Sequence, residues 1–227
     1  MNDPLAGSPW SAPDTVAGFA TSPPNERLVR FAAGELARVP RGRGIDIGCG
    51  AGRNAVPLAQ QGWQMLGTDW SAPMIEAARA RAVGEGVADR FCLALAPMDE
   101  LPAGDVEFDL VVAHGIWNLA RSSAEFRRGV AEAARVAKPG AALFVFTFSR
   151  HTLPPAVQPV AVEPFIFTEF SGRPQVFLTE CQLLSELAAA GFLPDDRVPL
   201  TEHNRPAAGA LPAGRVPVIY EAAFRKG

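Results

Sequence analysis

The sequence contains few cysteines, and their arrangement excludes two kinds of cross-linked fold. Three occur among 227 residues, far apart and with no CxxC pair: Cys49, Cys92 and Cys181. An odd number at such spacing argues against a disulfide framework and against a structural zinc site, so no metal is expected. This cysteine usage is typical of a reducing compartment, and we expect the protein to be cytoplasmic.

The chain also lacks a long apolar run and a basic stripe. No stretch approaches the ~18 consecutive apolar residues of a membrane span, and the N-terminus shows no basic start followed by an apolar core. The formal net charge is -3, and the Lys and Arg residues are scattered. We therefore expect neither a membrane nor a nucleic acid as a partner, but a small molecule. No heptad or self-complementary patch indicates an oligomeric state.

Strand and helix patterns alternate along the chain from Gly44 onward. Predicted strands include GIDI, WQMLGTD, RFCLAL, FDLVVAHG and AALFVFTFS, and helical segments with caps at Ser71 and Ser122 lie between several of them. Pro139 and Gly140 are expected to end the helix that starts near Ser122. Such alternation is typical of right-handed crossovers and a parallel sheet, so the sequence predicts an α/β fold in a single domain.

The stretch GIDIGCGAGRN, from Gly44 to Asn54, has three glycines at alternate positions directly after a strand. A dinucleotide-binding fingerprint needs glycine at the sixth position, which is Arg53 here, and a phosphate-binding P-loop needs a GKS or GKT sequence. Asp46 lies two residues before the first glycine, at the edge of the predicted sheet where open α/β folds bind ligands. A carboxylate there repels a phosphate and attracts an ammonium or sulfonium group, which indicates S-adenosylmethionine.

Five motifs, DIGCGAG, GTDWS, APMDELP, FDLVVAHG and AKPGAAL, resemble in order and spacing those of the Rossmann-like, class I S-adenosylmethionine-dependent methyltransferases. The resemblance covers most of the chain from about Arg43 onward. It implies a mostly parallel seven-stranded sheet with helices on both faces and an antiparallel last strand. It also implies S-adenosylmethionine as the cofactor and S-adenosylhomocysteine as the product.

The resemblance implies that ten residues hold the cofactor. In chain order they are Asp46, Gly48, Cys49, Gly50, Gly52, Asp69, Trp70, Met98, Asp99 and His114. The three glycines are expected to pass under the methionine part of the cofactor, and Asp46 to help hold its amino group. Cys49, between two glycines, is predicted to be a small buried filler.

Of the other five residues, four are expected to lie around the nucleoside, and His114 is expected to contact the methionine part. Asp69 ends the second predicted strand, where a carboxylate suits a ribose diol, although it could instead stabilise the start of the next helix. Trp70 stacks on adenine or covers the core, and the two interpretations stay open. Met98 and Asp99 match the residues that contact the adenine ring and its exocyclic amine. His114 is expected to offer its backbone carbonyl, with a structural side chain.

We expect four parts within the single methyltransferase domain of residues 1–227. Residues 1–24, dense in Pro, Ser, Ala and Gly, are predicted to be an irregular arm or lid, and residues 25–149 the cofactor-binding core. Residues 150–178, rich in Pro and Phe, are interpreted as an aromatic substrate-loop insertion, because disordered segments are poor in aromatics. Residues 179–227 are predicted to hold a capped helix and two last strands, joined by the linker PAAGALPAG.

A second, weaker resemblance concerns the methyl acceptor. The aromatic segment and the tail TEHNRP...RVPVIYEAAFRK look like those of the tellurite-resistance methyltransferases, which methylate oxyanions or soft ions of tellurium and selenium. That resemblance implies pocket walls from Phe165 and Phe167 and an anion site from His203 and Arg205. Trp117, which follows His114 closely in the chain, is expected to line the passage between cofactor and substrate. The alternative for the phenylalanines is a satellite core, and for the polar pair a solvated turn.

The sequence assigns no catalytic residue. Methyl transfer needs alignment of the acceptor and exclusion of water, and a base only when the acceptor is protonated. His151, His203 and Tyr220 are candidate bases without a spacing signature. The favoured hypothesis is transfer to a small organic acceptor, with chalcogen or thiol methylation as the alternative. A nicotinamide oxidoreductase and a non-catalytic module that binds S-adenosylmethionine are the rivals from other classes.

Overall fold

The predicted strands form a central sheet in the computed structural model, which describes residues 2–39, 41–205 and 216–227. The strand bounds in chain order are β1 (Arg43–Ile47), β2 (Gln64–Asp69), β3 (Phe91–Leu95), β4 (Phe108–His114), β5 (Ala137–Phe148), β6 (Ile166–Phe167), β7 (Gln175–Val176), β8 (Phe192–Pro194), β9 (Thr201–His203) and β10 (Ile219–Lys226). The main sheet has the order β3-β2-β1-β4-β5-β10-β8, with β9 also paired to β10. Strands β1 to β5 are parallel, and β10 is antiparallel to β5, as predicted.

The described residues contribute eight strands to this sheet, not the predicted seven. The segment FLPDDRVPLTEHNR, predicted as one strand, forms β8 and β9, which pair with opposite ends of β10. Pro194 and Pro199 lack the amide hydrogen that a continuous ladder needs, and Asp195 pairs with Arg197 in the turn between them. The linker PAAGALPAG, predicted to join the last strands, lies outside the described residues.

Helices cover both faces of the sheet, in agreement with the prediction. Their bounds are α1 (Pro13–Thr21), α2 (Glu26–Arg38), α3 (Ala55–Gln61), α4 (Ala72–Gly84), α5 (Ser123–Val136) and α6 (Glu180–Ala189). One apolar layer joins the sheet to α2, α3 and α4, and the other joins it to α5 and α6. Burial of these two layers holds the strand ends, and the loops that follow them, in fixed positions.

Local signals explain where several helices begin and end. The side chains of Asn25, Ser71 and Ser122 accept hydrogen bonds from backbone amides in the first turns of α2, α4 and α5. Thr179 and Gln182 form the reciprocal capping box predicted for α6. Gly62 ends α3 with a φ of 114°. These caps set the directions in which the chain enters each helix.

Two local predictions are wrong. Pro139 and Gly140 do not end α5, which stops at Val136; they lie in the first part of β5, next to a register shift opposite β4. The arm of residues 1–24 is not irregular, because α1 and a short 3-10 helix at Pro9–Ser11 occupy it. Pro13 lies in the first turn of α1, where its fixed φ suits a helix and its missing amide costs nothing.

The segment 150–178 carries a small two-stranded sheet of its own, formed by β6 and β7. A bridge between Ser149 and Leu178 closes the segment at its base. Phe167 and Phe177 pack together inside it, with ring centroids 6.0 Å apart. This hairpin therefore has an apolar core of its own and projects from the end of β5.

Candidate functional site

A cavity of about 540 Å³ opens at the carboxyl edge of the parallel strands, and it brings together most of the residues predicted from the five motifs. Seven of the ten predicted cofactor residues line it: Gly48, Gly50, Asp69, Trp70, Met98, Asp99 and His114. They follow β1, β2, β3 and β4, whose ends meet because the strands are neighbours in the sheet. Ligand pockets in proteins commonly enclose about 300 to 1,000 Å³.

The glycine loop after β1 needs glycine for conformation and for space. Gly48, Gly50 and Gly52 have φ values of 70°, 53° and 76°. A Cβ atom on Gly48 would lie 2.6 Å from Cδ1 of Ile116, and one on Gly50 would lie 3.2 Å from Cδ1 of Phe19. Side chains at these two positions would therefore fill the floor of the cavity.

The remaining glycine and the cysteine of the loop lie behind this floor. A Cβ atom on Gly52 would meet Phe91, Val56 and Ala78 at 3.2 to 3.4 Å, so Gly52 permits close helix-to-strand packing. Cys49 is buried, and burial raises the pKa of its thiol well above the ordinary value. The thiol is therefore neutral and packs as a small apolar group, as the sequence predicts.

Asp69 ties the end of β2 to the glycine loop. Its Oδ2 accepts a hydrogen bond from the Gly50 amide at 2.9 Å, and its Oδ1 accepts one from the Ser71 amide at 2.9 Å. Burial raises the pKa of this carboxyl, while those backbone hydrogen bonds act in the opposite direction. The carboxyl group is thus held in one orientation at the cavity wall, and it also stabilises the start of α4.

Trp70, Met98 and Asp99 form another part of the wall. Trp70 lines the cavity and is 37% exposed, so part of its indole ring is accessible to a ligand. Asp99 Oδ2 accepts hydrogen bonds from Arg128 Nε and Nη2, at 3.0 and 2.9 Å. Its Oδ1 accepts none within the described residues, so it can receive a hydrogen bond from a bound amine.

Asp46 lies behind the cavity and does not line it. Its side chain is buried, its Oδ2 has no hydrogen-bond partner among the described residues, and burial raises its pKa to about 7. The neighbouring Arg53 counteracts that shift, and Asp69 adds to it. A buried carboxylate with an unpaired oxygen is an unfavourable arrangement that a bound cation would relieve.

The side chain of His114 contacts protein groups on three sides, in agreement with a structural role. Arg53 Nη2 donates to its Nδ1 at 3.1 Å, Asn25 Nδ2 lies 3.1 Å from its Nε2, and its ring stacks on Phe146 at 4.2 Å. Burial lowers the pKa of His114 to about 3, with a further contribution from the Arg53 charge. The imidazole is therefore neutral near pH 7.

None of the predicted substrate residues lines the cavity. Trp117 and Phe165 are buried against Phe126, and Phe167 is buried within the 150–178 segment. Aromatic spacing alone does not separate a pocket wall from a core. Phe165 belongs to the main core, and Phe167 belongs to a small separate one, so of these two phenylalanines only Phe167 fits the satellite-core alternative.

The two polar residues of the predicted anion site lie at the edge of the sheet. His203 Nε2 is 3.1 Å from Glu221 Oε2, and Arg205 Nη1 donates to Glu202 Oε2 at 3.1 Å. A carboxylate thus lies beside each of these two side chains, which leaves little attraction for an anion. His151 and Tyr220, the other candidate bases, also lie outside the cavity wall.

The sequence analysis missed two groups of residues that line the cavity. The arm supplies Leu5, Ser8, Pro9, Trp10 and Phe19, and the β6–β7 hairpin supplies Ser171, Arg173, Pro174 and Gln175. No motif marks either group, because both reach the cavity through tertiary packing. The Ser11 and Ser71 hydroxyl oxygens are 2.8 Å apart, and Asp3 Oδ1 accepts a hydrogen bond from the Ala72 amide at 3.1 Å. These two contacts attach the arm to the start of α4.

Two kinds of feature are absent from the described residues. No group of three or more His, Cys, Asp and Glu side chains in residues 2–39, 41–205 and 216–227 is arranged to hold a metal ion. In the same part of the chain, no helix combines the length and hydropathy needed to cross a membrane.

Comparison with known proteins identifies a matching domain family and several relatives in sequence. Residues 45–145 match the family model for a methyltransferase domain. The ubiquinone/menaquinone biosynthesis C-methyltransferase UbiE of Geotalea daltonii is 31% identical over 124 residues, which cover 53% of this chain and 51% of that protein. The demethylmenaquinone methyltransferase of Clavibacter sepedonicus is 33% identical over 132 residues, covering 57% and 51%. The chain spans about half the length of these curated relatives.

Solved structures share the fold at lower identity. The [4+2]-cyclase SpnF aligns with a TM-score of 0.67 and 22% identity, covering 88% of this chain and 81% of that one. The 1,6-didemethyltoxoflavin-N1-methyltransferase of Burkholderia thailandensis, solved with S-adenosylhomocysteine bound, aligns with a TM-score of 0.63 and 22% identity, covering 89% and 79%. Residues 45–145 therefore form a methyltransferase domain of the S-adenosylmethionine-dependent class, and the solved structures show that the chain has the Rossmann-like fold.

Proposed function

We propose that this protein transfers the methyl group of S-adenosylmethionine to a small organic acceptor bound in the 540 Å³ cavity. One observation carries the proposal: the glycine loop, Asp69, Trp70, Met98, Asp99 and His114 line a single cavity at the carboxyl edge of the sheet. The cofactor supplies a methyl group activated by its sulfonium charge. The relatives named for quinone methylation are consistent with an organic acceptor, and chalcogen methylation is not favoured.

The residues present fit the cofactor at four places. The floor formed by Gly48 and Gly50 is open only because neither has a Cβ atom, and it takes the methionine part. Asp69 takes the ribose hydroxyls through the lone pairs that its two backbone hydrogen bonds leave free. Trp70, Met98 and Asp99 take adenine. Asp46 lies behind the glycine loop, and its unpaired Oδ2 favours an ammonium group bound on the other side of that loop.

The protein's contribution to methyl transfer is alignment and exclusion of water. In-line displacement forms a bond from the acceptor nucleophile to the methyl carbon as the carbon–sulfur bond breaks, and a protonated nucleophile must also lose its proton. Among the described residues, His151, His203 and Tyr220 lie away from the cavity wall, so we assign none of them as the base. An acceptor that is already a good nucleophile at neutral pH fits this arrangement.

We further propose that the arm of residues 1–24 and the segment 150–178 act as covers of the cavity, and that residues 25–149 form the cofactor-binding core. Trp10 and Phe19 of the arm line the cavity and contact each other edge to face, with ring centroids 6.3 Å apart. Their position over the glycine loop excludes water from the methyl donor.

The proposal is tested with S-adenosylmethionine that carries a labelled methyl group, incubated with the purified protein and a panel of small phenols, amines and carboxylic acids. We expect label in an organic product in solution and an equal amount of S-adenosylhomocysteine. The rival of a non-catalytic module predicts cofactor binding with no transferred label. The structural similarity to a cyclase makes this control necessary, because the fold alone does not fix the reaction.

A further inference from the structure

The cavity extends beyond the residues that fit the cofactor, toward the β6–β7 hairpin. Ser171, Arg173, Pro174 and Gln175 of this hairpin line it, and none of them belongs to the five sequence motifs. If the cofactor occupies the floor and the nucleoside wall, this end is left for the acceptor. The chemistry of these residues therefore bears on the class of acceptor, and this inference rests on the proposed function.

Arg173 differs from the other charged residues that line the cavity. Asp69 accepts hydrogen bonds from two backbone amides. Asp99 forms an ion pair with Arg128, and Arg121 forms one with Glu125. Arg173 forms no ion pair and no side-chain hydrogen bond within residues 2–39, 41–205 and 216–227, and the rest of the chain contains no Asp or Glu. Arg173 is exposed, and its guanidinium has five N–H donors and no acceptor, so it can donate to the oxygen atoms of a ligand in the cavity.

Gln175 places a second donor in the same wall. Its side chain is buried, and its Oε1 accepts a hydrogen bond from the Ser171 hydroxyl at 2.7 Å. This bond fixes the amide so that Oε1 faces Ser171, which leaves Nε2 without an acceptor among the described residues. Two uncommitted donor groups, one of them cationic, therefore line one end of the cavity.

Much of the remaining wall is apolar. Leu5, Trp10, Phe19, Ile116 and Leu119 all line the cavity, so the body of a ligand between the arm and the hairpin lies against hydrocarbon and aromatic surface. A small ion surrounded by water does not use this surface, whereas an apolar molecule with one anionic group uses both parts of the wall.

We propose that the methyl acceptor is a small organic acid with an aromatic or other apolar body, whose carboxylate is bound by Arg173 with support from the Gln175 amide. Arg173 is then the residue that selects acidic acceptors over neutral ones. The anion site is on the β6–β7 hairpin, not at His203 and Arg205, where the carboxylates of Glu221 and Glu202 already lie beside the two side chains.

The test compares matched acid and amide pairs: 4-hydroxyphenylacetate with 4-hydroxyphenylacetamide, and indole-3-acetate with indole-3-acetamide. Each is titrated calorimetrically at low ionic strength into the full-length protein saturated with S-adenosylhomocysteine. We expect at least one acid to bind about tenfold more tightly than its amide, because a charge-assisted hydrogen bond is lost in the amide. R173L should abolish this preference, and R173K should restore part of it.

R79L is the matched control, because Arg79 is an exposed arginine on α4 that pairs with Glu76 and lies outside the cavity wall. It should keep the full preference for the acid. Equal binding of acid and amide by the wild type, including no binding of either, overturns the proposal, as does a preference that survives in R173L. Failure of S-adenosylhomocysteine itself to bind would instead contradict the proposed function.

Discussion

Asp69 accepts a hydrogen bond from the backbone amide of Gly50 at 2.9 Å, and this bond fixes the end of β2 against the glycine loop that follows β1. The two residues lie 19 positions apart in sequence and in different motifs, yet one hydrogen bond sets the distance between the ribose wall and the methionine floor. Any change at Asp69 should therefore affect both the contact with a ribose and the shape of the loop.

Replacing Asp69 by alanine should weaken binding of S-adenosylhomocysteine by about 1 to 3 kcal/mol, because hydrogen bonds to a partly buried carboxylate are lost. Calorimetric titration measures the dissociation constant. D89A is the control, since Asp89 is an exposed acid paired with Arg90 on the surface. An unchanged dissociation constant in D69A would show that the ribose binds elsewhere.

Gly48→Ala should destabilise the fold by about 1 to 3 kcal/mol and reduce cofactor binding, because the φ of 70° disfavours alanine and the new Cβ atom meets Ile116. Urea unfolding gives the stability change. G84A should be neutral or stabilising by up to about 1 kcal/mol, since Gly84 lies in α4 with no atom within 4 Å of an added Cβ. Equal effects of the two substitutions would contradict the assigned role of the loop.

Phe19→Ala should weaken S-adenosylhomocysteine binding by about tenfold, because part of an aromatic wall is removed from the ligand. Stability should change by about 1 kcal/mol or less, since α1 contains no buried residue. V83A is the matched control, because Val83 is 65% exposed on α4 and away from the cavity. A large loss of stability without a change in affinity would make the arm a structural element and not a cover.

The buried Asp46 should make stability depend on pH. Its pKa is about 7 in the folded chain, above the ordinary value of 3.8 that applies when it is unfolded. Its favourable contribution is therefore fully present below about pH 4 and is lost as the pH rises through about 7. The melting temperature of the wild type, relative to that of D46N, should fall across this window. A constant difference between the two proteins would show that Asp46 does not titrate there.

Cofactor binding should depend on the same group in the opposite sense. The ammonium of S-adenosylhomocysteine favours the ionised carboxylate, so affinity should increase as the pH rises through about 7 and a proton should be released. His114 does not contribute in this range, because its pKa is lowered to about 3. Titrations in buffers of different ionisation enthalpy count the released protons, and D46N should release none from this site.

The parts of the site that follow strand ends could be predicted from sequence. Asp69, Met98 and His114 each come directly after or at the end of a strand pattern, and parallel strands bring those ends to one edge. Such positions are fixed by local patterns and by the order of the sheet, so the five motifs were enough to predict the part of the wall that these strand ends supply.

The rest of the site depends on contacts that no local pattern encodes. Phe19 reaches Gly50, and Arg173 reaches the cavity, only through the packing of the arm and the hairpin onto the core. Phe165 and Phe167 have the composition of a pocket wall, but the same composition also suits an apolar core; Phe165 is buried in the main core and Phe167 in a small separate one. Burial, and not residue type, separates these two possibilities.

The most direct measurement is a crystal structure of the protein with S-adenosylhomocysteine. The account predicts ribose hydroxyls within hydrogen-bond distance of the Asp69 carboxylate, adenine beside Met98 and Asp99, and free space between the sulfur atom and Arg173. A nucleoside bound away from Asp69, or a cavity that stays empty at saturating ligand, would contradict it.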